Sequence, residues 1–113
     1  MPHRREKLLR DMFDRGARIE SSTSGKTRAE FLSDNVLQDA VHWNLCVIGE
    51  AMSQLRQLAP ASAGQFTAHT KIIGLRNQLI HGYGSIDTDI TWSIVEKHLP
   101  VLMRELRVLL ALP

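Results

Sequence analysis

Arg76, Asn77, His81 and Tyr83 fall within eight consecutive residues, in the segment Leu75-Arg76-Asn77-Gln78-Leu79-Ile80-His81-Gly82-Tyr83-Gly84. A guanidinium, an amide, an imidazole and a phenol in so short a span suit chemistry on a phosphate. Arginine presents a rigid fork of donors that matches phosphate oxygens, and histidine moves protons near neutral pH. On an ideal helix, residues five apart such as Arg76 and His81 point about 140° away from each other. Asn77 and His81 share one face, and Arg76, Ile80 and Tyr83 share another. Arg76 and His81 therefore meet in one of three ways. The helix ends at His81, as Gly82 and Gly84 favour, or the long arginine reaches round, or a dimer brings two copies of the segment into one cleft. The expectation is the last, combined with helix termination.

Each group also has an ordinary structural role. Arg76 could form an ion pair with Glu50 or Asp39. His81 at a helix C-terminus could simply complement the helix dipole. Asn77 could be a buried hydrogen-bonding residue, and Tyr83 could cover the end of a helical bundle with its hydroxyl in water. Glu50, beside Gly49 in an apolar stretch, could hold the fork of Arg76 toward a cleft.

The elements that must position these residues are helical throughout. Leu8, Met12 and Ile19, with Leu9 and Phe13 beside them, recur at helical spacing, so residues 4–20 form a first helix. Ser21 to Gly25 reads as a polar linker. Thr27 and Glu30 form a capping box ahead of a short helix or turn at Phe31 and Leu32. Ser33 or Asp34 caps a long helix reaching about Leu58, where Pro60 ends it. Its apolar residues occupy two adjoining faces, too wide for one-sided packing, so it has neighbours on both sides or meets a second chain. Thr67 to Ile80 is the third helix, and Gly82 and Gly84 stop it. Asp87 caps a final helix, which Pro100 should bend or break near His98. The fold class is all-α, an antiparallel bundle of four main helices.

With 113 residues, 43% hydrophobic and 23% charged, the chain reads as one folded domain over residues 1–113. A net charge of +2 permits nucleic-acid binding without demanding it, and solvation explains Arg4, Arg5, Lys7 and Arg10 equally well. No apolar run approaches the roughly 20 residues that span a bilayer, so no membrane role is expected. The basic start is followed by a run broken by Asp11, Asp14 and Arg15, which is not a secretory signal. Cys46 reads as a small core residue in a reduced, cytoplasmic setting. His3, His42, His69 and His98 lack metal-ligand spacing, so neither a metal nor another cofactor is expected. His42 and Trp43 read as packing or interface residues. Ser24-Gly25-Lys26-Thr27 is similar to the end of a phosphate loop, but the preceding glycine and strand are missing, leaving a linker and a cap.

The order Arg76-Asn77-x-x-x-His81-x-Tyr83 resembles the signature of the HEPN superfamily, in particular its HepT-like branch of toxins from HepT/MntA toxin–antitoxin pairs. Phe31-Leu32-Ser33-Asp34, Leu37-Gln38-Asp39-Ala40-Val41, Val47-Ile48-Gly49-Glu50-Ala51, Ile73-Gly74-Leu75 and Asp87 to Pro100 extend the resemblance over nearly the whole chain. Residues 60–71 lack the family's usual tryptophan, and Gly84-Ser85 lack its frequent aromatic. The resemblance implies a HEPN bundle that forms a symmetric homodimer and acts as a metal-independent ribonuclease. It also implies a nucleotidyltransferase antitoxin that transfers AMP to Tyr83. In RNA transesterification, Arg76 and His81 would be the catalytic pair, with Asn77 orienting His81 or the substrate and Glu50 behind Arg76. The competing reading is a non-catalytic subunit that binds a nucleotide or RNA for a partner nucleotidyltransferase. A purely structural helical dimer is a third.

Overall fold

A computed structural model describes residues 2–82 and 86–113. Tyr83 and Gly84 therefore lie outside the described residues, and with them the expected modification site and the second stop glycine. Among the described residues the chain is helical and contains no strand: α1 (Pro2–Thr23), α2 (Arg28–Leu32), α3 (Asn35–Leu58), α4 (Pro60–Ala63), α5 (His69–His81), α6 (Thr88–Ser93) and α7 (Leu99–Leu109). A π-helical turn, Ile94–His98, joins α6 to α7. The four main helices are thus α1, α3, α5 and the composite α6–α7.

α3 is the spine. It packs against α1 and α5, while α1 also packs against α7. Val41, Ile48, Met52 and Leu55 of α3 join Leu9, Met12 and Ile19 of α1 and Met103 and Leu106 of α7 in the core, each at most 1% exposed. Burying one such side chain contributes about 1.5–3 kcal/mol. The molecule measures only 19 Å in its short dimension, about two helix layers deep. That thinness leaves one stripe of α3 open, with Val36 80% and Trp43 63% exposed.

Helix starts follow the sequence signals. Thr27 Oγ1 accepts from the Glu30 amide at 3.2 Å while Glu30 accepts from the Thr27 amide at 2.9 Å, completing the capping box. Of the two possible caps for α3, Asp34 is the one used, accepting from the Leu37 amide at 3.0 Å. Asp87 caps α6 through the amides of Asp89 and Ile90.

Local expectations are corrected at two places and extended at two. α1 continues through Thr23 because the Ser22 and Thr23 hydroxyls donate back to the Ile19 carbonyl, and the chain turns only at Gly25, with φ 73°. Pro60 ends α3 but also opens the single turn of α4, where its fixed φ suits the first helical position. α5 starts at His69, not Thr67: the Thr67 amide and hydroxyl donate to Glu105 on α7 at 3.1 and 2.7 Å, holding that residue outside the helix. The departure expected near His98 takes the form of a widened turn just ahead of Pro100, in which the Leu99 amide donates to the Ile94 carbonyl five residues back.

Cross-links between elements fix α6. Arg28 pairs with Asp89 at 2.6 Å, the Phe31 and Trp92 rings lie 5.2 Å apart, and His42 bonds Thr91 Oγ1 at 3.0 Å. His42 is thus a packing residue, and burial lowers its pKa against the opposing pull of Asp39.

Candidate active site

α5 delivers Arg76 against α3 at the one place where α3 has no side chain. A Cβ added to Gly49 would collide with Arg76 Cβ, lie 2.9 Å from Arg76 Cγ and 3.1 Å from the Ile72 carbonyl oxygen. The bare backbone of Gly49 lets α5 approach closely and sets the origin of the Arg76 side chain. From there Arg76 Nη2 meets Glu50 Oε2 at 2.7 Å, and Nη1 donates to Asn77 Oδ1 at 2.8 Å. Glu50 Oε1 in turn accepts from Gln54 Nε2 at 3.0 Å, fixing the carboxylate from both sides. The ion pair therefore forms with Glu50 and not with Asp39.

The fork is held but not buried. The Arg76 and Glu50 side chains are 26% and 46% exposed. A partly exposed pair of this kind contributes only about 0–1 kcal/mol, so a phosphate can exchange with the carboxylate at small cost. Arg76 Nε is buried and has no hydrogen-bond partner among the described residues.

Arg76 and Glu50 line an open groove of about 640 Å³ between α1, α3 and α5. Arg4 and Lys7 bring further positive charge to its wall, Asp11 brings an acid, and Trp43 brings an aromatic face. Lys7 and Asp11 pair with each other at 2.8 Å. Cys46 lines this groove as well, and is half-buried where a full core position was expected. Burial raises its thiol pKa, more than Arg76 lowers it, so the thiol stays protonated and is a poor nucleophile.

His81 is placed differently. It is the last residue of α5, and the Gly82 amide closes the helix by donating to Gln78 O at 2.7 Å. His81 is exposed, makes no side-chain hydrogen bond among the described residues, and does not line the groove. One chain thus brings Arg76, Asn77 and Glu50 together and leaves His81 on the outer face of α5, one turn beyond Asn77. The angular separation expected of an ideal helix is what the chain adopts. Among the described residues, no three His, Cys, Asp or Glu side chains gather as a metal site would require. Likewise, no described helix is long and apolar enough to cross a membrane.

Sequence reasoning missed the groove rather than the motif. Trp43, Val47, Glu50 and Gln54 follow one another at spacings of three or four along α3, and Arg4, Lys7 and Asp11 do so along α1, with Leu8 beside Lys7. Both stripes were present in the sequence, but nothing local says that they face each other.

Comparison with known proteins places this geometry in a family. Three proteins of Methanocaldococcus jannaschii are similar to the chain. One, named a gamma-glutamylcyclotransferase and candidate RNase, is 33% identical over 78% of this chain and 39% of its own length. Two named candidate RNases are 31% and 33% identical, covering 70% and 88% of this chain and 72% and 81% of their own lengths. The chain therefore spans about two-fifths of the first relative and most of the other two. No solved structure matches it. The pattern of the ribonuclease HepT-like family matches residues 12–109, from the buried Met12 of α1 to the end of α7, and takes in the whole Arg76–His81 segment. The chain belongs to the HepT-like ribonuclease family.

Proposed function

We propose that the chain is a metal-independent endoribonuclease that cleaves by internal transesterification. The observation that carries this reading is the Arg76 fork, held by Glu50 and Asn77 at the edge of an open groove, with His81 exposed at the end of the same helix. A base takes the proton of a ribose 2′-hydroxyl, and the oxygen attacks the adjacent phosphorus. The bond to the 5′-oxygen breaks as that oxygen receives a proton. The products are a 2′,3′-cyclic phosphate and a 5′-hydroxyl. His81 is the base or the acid, Arg76 stabilises the equatorial oxygens of the phosphorane, and Asn77 orients its neighbours.

A symmetric homodimer completes the site. The open stripe of α3 is a surface for a second copy, and two-fold symmetry would set two His81 side chains to divide the acid and base roles. The physiological role that fits is a cytoplasmic toxin, silenced by a nucleotidyltransferase antitoxin that attaches AMP to Tyr83. Tyr83 is two residues beyond His81, so the added phosphates would compete with RNA for Arg76. The alternative of a non-catalytic binding subunit draws on the same fork. It gives no reason for an exposed imidazole where a lysine would bind phosphate as well.

The mass of the intact chain tests the partnership. After co-expression with a small nucleotidyltransferase encoded beside it, the mass should rise by whole AMP units, and Tyr83→Phe should abolish the rise. An unchanged mass, or AMP mapped elsewhere, contradicts silencing at Tyr83.

A further inference from the structure

Gly74 has no packing reason to be glycine. It is exposed within α5, and a Cβ added there would meet no other described residue within 4 Å. Gly49, by contrast, is required by a neighbour. Glycine inside a helix is destabilising relative to alanine, so an exposed one with open space around it suits a backbone that something outside the chain approaches closely.

The surroundings of Gly74 say what approaches. Lys71, Gly74, Asn77, Gln78 and His81 form one stripe on the outer face of α5, all exposed, none apolar and none acidic. The stripe runs about 15 Å from Lys71 to His81. At its far end Lys71 and His98 line a second open groove of about 400 Å³, between α5 and the α6–α7 composite. Lys97 lies beside them and, with Lys71, lowers the pKa of His98 further than burial alone does. Asp89 on that wall is already paired with Arg28 at 2.6 Å, and Glu96 does not line the groove.

We propose that this stripe is the track along which single-stranded RNA runs from the cleavage site, passing close over Gly74 to place a phosphate at Lys71. The proposal rests on the ribonuclease reading and adds to it a backbone subsite outside the Arg76–His81 motif. Charge selects the occupant. A cationic and polar stripe without an acid is complementary to a phosphodiester backbone and not to a copy of itself, in which Lys71 would gain no acidic partner. An antiparallel crossing of two α5 helices at Gly74 would also set the two His81 residues about 20 Å apart, too far to share one phosphate.

The test uses a fluorescent 2′-O-methyl oligonucleotide, which cannot be cleaved by its own 2′-oxygen and is long enough to span α5. Gly74→Gln should weaken its binding by about fivefold or more, and Lys71→Ala should lower the slope of log affinity against log salt by about one. Helix content and solution mass should be unchanged in both variants. Cleavage of a ribodinucleotide, too short to reach Gly74, should also be unchanged. Unaltered oligonucleotide affinity in both variants overturns the track. A changed oligomeric mass in Gly74→Gln also overturns it, and assigns the surface to a second copy. A parent protein that cleaves no RNA counts against the ribonuclease reading alone, because the binding measurements decide the track without turnover.

Discussion

Replacing His81 by alanine should lower the rate of RNA cleavage by about 10²–10⁴-fold, the range for losing a general acid or base, while leaving the fold intact. His81 ends α5, is exposed and makes no side-chain hydrogen bond among the described residues, so truncation opens no cavity and orphans no buried group. Arg76→Ala should cost about 10²–10³-fold through lost stabilisation of the phosphorane. It also frees Glu50, but that carboxylate is 46% exposed and keeps its bond from Gln54, so water replaces the guanidinium. Arg76→Lys should not restore the rate, because a lysine cannot hold Glu50 and Asn77 through two separate nitrogens as the fork does. Single-turnover rates beside thermal melts check all three variants. Parent-like cleavage by both alanine variants would remove the motif from the chemistry. A collapse in melting temperature with His81→Ala would make that residue structural.

Gly49→Ala should damage stability and activity together. The added methyl would strike the base of the Arg76 side chain and crowd the Ile72 carbonyl, and neither is the free end of a flexible group. α3 and α5 must then separate, at a cost of about 1–3 kcal/mol for overpacking. Arg76 moves with its helix and loses register with Glu50 on the neighbouring position of α3. Gly74→Ala, two residues from Arg76 but on the opposite, open face of α5, should instead stabilise the fold by about 0.5–1 kcal/mol. Urea unfolding of the two variants separates close approach from helix propensity. A Gly49→Ala protein as stable as the parent would mean that α5 does not rest on the backbone of Gly49.

The pair of glycines also marks where the sequence stopped being legible. Helix starts at Thr27, Asp34 and Asp87 were readable because capping is local: a hydroxyl or carboxylate two or three residues ahead of its amide. The Arg76–Asn77–His81 spacing was readable for the same reason, including the angular separation of Arg76 from His81. What could not be read depended on partners far along the chain. Thr67 stays outside α5 because Glu105, thirty-eight residues later, takes its amide. Cys46 looked like core because its neighbours along α3 are apolar, yet the two-layer depth of the molecule leaves it facing a groove. Arg4 and Lys7 looked like ordinary surface until α1 was laid beside α3. Helical periodicity says which side chains share a face, and only packing says what that face meets.

The central claim is that Arg76 and His81 activate the substrate's own 2′-hydroxyl. It is tested most directly with two RNAs that differ by one atom, the 2′-oxygen at a mapped cleavage site, incubated with the purified chain in excess EDTA. The account predicts cleavage of the ribose form to a 2′,3′-cyclic phosphate and a 5′-hydroxyl, and no cleavage at that position in the deoxy form. Continued cleavage of the deoxy form, or loss of all cleavage in EDTA, would contradict it.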